Sequence, residues 1–146
     1  MFQKLFQSDA SKTTSIIRLL VGVVFLSEGI QKWLYPALRG SGRFERIGFP
    51  SPEFLGHFVG SLEIICGMFI LLGFLTRAAS SITFLIMLVA LSTTKFTMLM
   101  NEGFWEMMHA SRTDFAMLLG SLFLIIKGGG YYSFDAFLIK NRYESE

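Results

Sequence analysis

Apolar residues in this chain gather in four long blocks rather than alternating with polar ones, so the pattern predicts helices and no strands. The blocks cover about 15–35, 54–75, 78–98 and 108–127. Each is near the ~20 residues that a helix needs to cross a bilayer core. In the first, Arg18 lies near one end, where it can snorkel, and Glu28 and Lys32 stand at i,i+4 near the other, the favourable order for an ion pair within one helix. Trp33 and Tyr35 mark the interface there, and Pro36 stops the helix.

The second block organises the rest. Glu63 sits near its middle, by helical rise roughly 14 Å from either end. A carboxylate at that depth costs about 2.5 kcal/mol or more, so a partner, a proton or a wet pocket must offset it. Gly56, Gly60 and Gly67 share roughly the face of Glu63 and let a neighbouring helix approach closely. The turn Gly73–Arg77 is tight, which makes blocks two and three antiparallel neighbours. The third block carries Lys95 near its far end. The fourth becomes apolar at about Thr113, holds Asp114, Gly120 and Ser121, and ends at Gly128–Gly130.

Between the blocks, Met1–Lys12 has the pattern of an amphipathic lead-in, with Phe2, Leu5 and Phe6 beside Lys4. No removable signal peptide is expected, because a small-residue cleavage site is missing from that stretch. Ala37–Glu53 reads as a surface loop with a short interfacial helix at Arg43–Ile47. Met100–Ser111 reads as a second loop, holding Glu102, Trp105, Glu106 and His109. The tail after Gly130 suits an interfacial segment with a solvated end.

Composition agrees with the pattern. Of 146 residues 52% are hydrophobic and 16% charged, against about a quarter charged in a soluble domain, and the mean hydropathy is +0.52. The expectation is a single all-α polytopic membrane domain over 1–146, an antiparallel four-helix transmembrane bundle. A net charge of +2, dispersed along the chain, points away from nucleic acid. A lone cysteine, Cys66, excludes an internal disulfide or a CxxC redox pair. Positive charges divide seven against six between the two sides, so they leave orientation open.

Four antiparallel spans bring the ionisable groups to one half of the bundle. The candidate ligand-binding residues are Glu28, Lys32, His57, Glu63, Trp105, His109, Arg112 and Asp114, with Lys32, Arg112 and His57 as possible partners for Glu63. Lys95, Glu102 and Glu106 read as ordinary surface groups. His57 and His109 begin spans two and four on one side, a geometry compatible with bis-histidine haem, but neither lies in a haem motif. The chain has no HExxH, GxSxG, Walker or dinucleotide motif, so no metal site is expected.

Five pieces in order carry a family resemblance: IRLLVGVVFLSEGIQKWL, GRFERIGFPSPEF, GSLEIICG with the GFLTR exit, HASRTDFAMLLGSLF and GGGYYSFDAF. Over nearly its whole length the chain resembles the DoxX family of small four-helix membrane proteins. The resemblance implies a bundle in the inner membrane with cytoplasmic termini and the charged half facing the periplasm. It nominates Glu28, Lys32, Glu63, Arg112 and Asp114. It also implies a link to thiosulfate:quinone oxidoreduction, to complexes handling oxidative or thiol stress, or to membrane chaperones.

Two function classes follow. One is a redox-linked subunit that binds quinone or another small amphiphile in the charged pocket, alongside membrane or redox-enzyme partner subunits. The other is a non-enzymatic chaperone, assembly factor or scaffold. A small-solute transporter would require alternating access, which four spans without repeats supply only through homo-oligomerisation. Whether the chain is itself catalytic stays open.

Overall fold

The computed structural model describes residues 11–143, all helical or connecting, with no strand among them. The lead-in predicted at Met1–Lys12 falls almost wholly outside the described residues. Helix α1 spans Thr14–Leu34 and stops before Pro36, as the sequence requires. Two short helices follow, α2 (Pro36–Arg39) and α3 (Ser41–Ile47). Helix α4 covers Pro52–Leu72 and ends at Gly73, whose φ of +68° only glycine adopts without strain. Helix α5 runs from Thr76 to Ala90 and widens into a π turn at Leu91–Lys95. It continues as α6 (Phe96–Glu102). Helix α7 spans Phe104–Lys127 and α8 Phe134–Tyr143.

Among the described residues three helices are long and apolar enough to cross a membrane: Thr14–Leu34, Pro52–Leu72 and the continuous Thr76–Glu102. Helix α7 is as long, but its first half carries Glu106, His109, Arg112 and Asp114. Each long helix touches two others: α1 packs on α4 and α7, and α5 packs on the same two. Their shared centre is a narrow core of Val21, Phe25, Cys66, Ile70, Ala79, Met117 and Leu124. Large apolar side chains such as Ile16, Leu72, Leu85, Leu119 and Ile126 point outward, an arrangement that suits lipid rather than water.

The α1–α4 contact is the most extensive in the molecule. Its closeness comes from glycine. A Cβ on Gly29 would stand 2.7 Å from the Gly60 carbonyl, and one on Gly67 2.6 Å from the Leu26 amide nitrogen, so backbone meets backbone. Of the small-residue face read beside Glu63, Gly60 and Gly67 meet α1, and Gly56 meets the Gly40–Ser41 backbone.

Three features depart from the sequence reading. The expected loop at Met100–Ser111 is helix on both sides of one residue, Gly103, with φ +92° and ψ +173°. Gly103 is the sole breaker in that stretch, and the residues after it favour helix. Arg18 does not snorkel. It is 8% exposed, and donates through Nη1 to the Gly129 carbonyl (2.7 Å) and through Nη2 to the Leu71 carbonyl (3.1 Å), tying the ends of α4 and α7 to the start of α1. The tail does more than lie at an interface, since Asp135 on α8 is 1% exposed. It accepts from the Leu75 and Thr76 amides at 2.8 and 3.0 Å and so supplies, from sixty residues away, the cap that α5 lacks locally. Leu75 needs it, because its φ of +47° is strained for a side-chain-bearing residue.

Candidate functional site

At the opposite end of the long helices lies a cavity of about 580 Å³. Helices α1, α4, α5 and α7 wall it, with the π turn on one side and α3 at its edge. Its surface is mostly apolar, contributed by residues such as Phe25, Phe44, Phe49, Phe58 and Met117. Three carboxylates (Glu28, Glu63, Asp114) and four cations (Lys32, Lys95, Arg39, Arg43) interrupt that surface. An apolar concavity with a few convergent polar groups is the usual form of a small-molecule site.

Two ion-paired groups face each other across it. On one wall Lys32, 8% exposed, reaches from α1 to Glu63 on α4 at 2.6 Å, and stands 3.8 Å from Glu28 on its own helix. The sequence allowed Lys32 to be satisfied by Glu28 alone; in the structure the deeper carboxylate is the nearer partner. The glycine contact makes this possible, because Gly60 brings the α4 backbone against the Lys32 Cβ. On the other wall Lys95 pairs with Asp114 at 3.3 Å and donates to the Ala110 carbonyl at 2.9 Å. Lys95 ends the π turn, whose extra residue per turn rotates the side chain relative to a regular α-helix. Ser92 and Thr93 donate to the Leu88 and Val89 carbonyls just before it, competing for the helix's own acceptors.

The eight residues singled out in the sequence divide evenly. Glu28, Lys32, Glu63 and Asp114 line the cavity. The others lie on outer surfaces. His57 is exposed, packs edge-on against Trp33 with ring centroids 4.6 Å apart, and donates from Nδ1 to the Glu53 carbonyl at 2.8 Å. Arg112 donates to Nε2 of His109 at 2.6 Å, both exposed, so neither Glu63 nor Asp114 is its partner. Trp105 is 81% exposed against Phe104. Conversely, Lys95, read as a surface group, is a wall residue 14% exposed, and the sequence reading did not single out Arg39 and Arg43 for the site. The spacing of Lys95 gave no regular-helix face toward Asp114, and only the run of hydroxyl residues before it hinted at an irregular turn.

The chain matches the DoxX family over residues 13–98, which includes α1, α4 and the wall residue Lys95. It is 47% identical over 143 residues to "Uncharacterized membrane protein Rv3486" of Mycobacterium tuberculosis, covering 94% of this chain and 88% of that protein. It is 25% identical over 130 residues to "Putative oxidoreductase CatD" of Bacillus subtilis, covering 88% and 89%. No solved structure matches it.

Proposed function

The chain belongs to the DoxX family of membrane proteins, and from that premise we propose that its cavity binds a small amphiphile, with quinone as the leading class, in a redox-linked membrane subunit. The observation that carries this reading is a cavity of about 580 Å³ whose apolar walls hold Lys32 and Glu63 on one side and Lys95 and Asp114 on the other. A ring with two polar substituents is complementary to such a pair of walls. Carboxyl groups beside cations can exchange the protons that accompany reduction of a quinone, while the electrons come from a partner oxidoreductase. The distant similarity to a protein whose name describes an oxidoreductase supports the redox half of the proposal.

The arrangement proposed in the membrane is an antiparallel bundle of α1, α4, the α5–α6 helix and α7, in the inner membrane with cytoplasmic termini. The Arg18 contacts with the ends of α4 and α7 support it, as does the tight connection between α4 and α5. Reporter fusions at Lys12 and Tyr143 on opposite sides would exclude it.

A second reading, a scaffold or assembly factor, is favoured by one observation. Both cavity ion pairs also tie neighbouring helices together, α1 to α4 and the π turn to α7. Gentle extraction, mass spectrometry of co-purified small molecules and thermal titration with short-tailed quinones separate the two. A bound or stabilising quinone is expected; its absence in both measurements leaves the scaffold reading.

A further inference from the structure

We propose that the cavity takes an aromatic amphiphile bearing one acidic oxygen, and that Arg43 is the residue that selects for the negative charge. The inference rests on the reading of the cavity as a ligand site and adds the chemistry of what enters it.

The charges around the cavity are not matched. Lys32 serves Glu28 and Glu63, and Lys95 serves Asp114, which accounts for every carboxylate on the lining. Arg39 and Arg43 remain. Among the described residues neither has a carboxylate within ion-pair distance. Arg39 is exposed on α2 and has water as an alternative, whereas Arg43 is half-buried on α3. The neighbouring Arg46 turns the other way and donates to the Leu38 carbonyl at 3.0 Å, so the two arginines of one short helix are used differently. Arg43 lines the cavity from α3, which packs against α4.

A half-buried guanidinium offers five donors in a planar fork suited to a carboxylate or a phenolate. Phe44 and Phe49, packed edge to face with centroids 5.9 Å apart, flank it on the lining, and Phe58 stands on α4. Aromatic walls beneath an arginine favour a flat ring lying inward with its acidic oxygen at α3. Lys32 and Lys95 contribute less to charge selection, because each already holds a carboxylate.

The test uses the full-length protein in nanodiscs and two probes of the same shape, 2-naphthoate and its neutral amide, with decanoate as a lipid-like acid and ubiquinone-1 as a neutral quinone. The expected result is that naphthoate raises the melting temperature and binds at least tenfold more tightly than the amide. Arg43→Gln should remove that preference, Arg43→Lys should retain part of it, and Arg46→Gln should leave it intact. Equal binding of naphthoate and amide, or a preference that survives Arg43→Gln, overturns the proposal. Decanoate exceeding naphthoate with the same dependence on Arg43 keeps the anion and assigns it to a lipid acid, overturning the aromatic class. Stabilisation by ubiquinone-1 without naphthoate defeats the acidic ligand alone, whereas indifference to all four probes defeats the cavity reading beneath it.

Discussion

Arg18 and Lys32 stand toward opposite ends of α1, each 8% exposed, and the protein holds them in different ways. Arg18 is held by backbone. Its donors meet the Leu71 carbonyl in the last turn of α4 and the Gly129 carbonyl after α7, and Asp135 nearby is spent on two amides at the start of α5. Lys32 is held by other side chains, with two carboxylates in reach and a cavity beside it. A charge bound to helix ends has one geometry, because the backbone offers no other. A charge bound to carboxylates can trade a partner for a ligand or a proton. One end of the molecule is therefore built as a fastening, and the other holds charges that can be paired anew beside a cavity.

That contrast predicts a graded set of outcomes. The largest loss of stability belongs to the fastened end. Asp135→Ala leaves one buried and one part-buried amide without acceptors and Arg18 without its nearby carboxylate, and should cost about 3 kcal/mol or more. A melting curve in detergent should show it, and a melt within a degree of wild type would break the comparison. Lys32→Met should come next, because it strands Glu63 at depth, and the companion change Glu63→Gln should recover most of the loss in the double variant.

Glu63→Gln by itself should be milder, on the order of 1 kcal/mol, since Lys32 keeps Glu28 at 3.8 Å. Its larger effect should fall on the response to quinone or acid probes, a readout that Asp135→Ala should leave unchanged per folded molecule. Thr83→Val removes a buried hydrogen bond of 3.0 Å to Ser121 between α5 and α7, remote from the charges, and should cost about 1 kcal/mol with no change in ligand response. Glu102→Gln, on the outer surface, should alter neither measurement, and an effect equal to that of Glu63→Gln would remove Glu63 from the site.

What could be read from the chain followed from local rules. Helix lengths, the stop at Pro36, the depth of Glu63 and the glycine face beside it each depend on residues within a turn or two of one another. What escaped depends on distance or irregularity. Arg18 meets Gly129 across 111 positions, and Asp135 meets Leu75 across 60, pairings that no periodicity encodes. Lys95 turns to the cavity because the helix adds a residue to one turn, which a regular 3.6-residue wheel places elsewhere. Arg112, a possible partner for Glu63 in the sequence, faces outward onto His109 while Asp114 lines the cavity, because residues two apart on a helix point in different directions.

The Asp135 cap also orders the protein's assembly in time. Helices α4 and α5 can enter the membrane as a hairpin as soon as their residues leave the ribosome, but the strained turn between them has no acceptor for its amides yet. Sixty further residues, including all of α7, must be synthesised before Asp135 arrives. Until then the amides of Leu75 and Thr76 at the start of α5 lack this acceptor. The docking of α8 is thus a late step that closes the structure at the end where Arg18 sits.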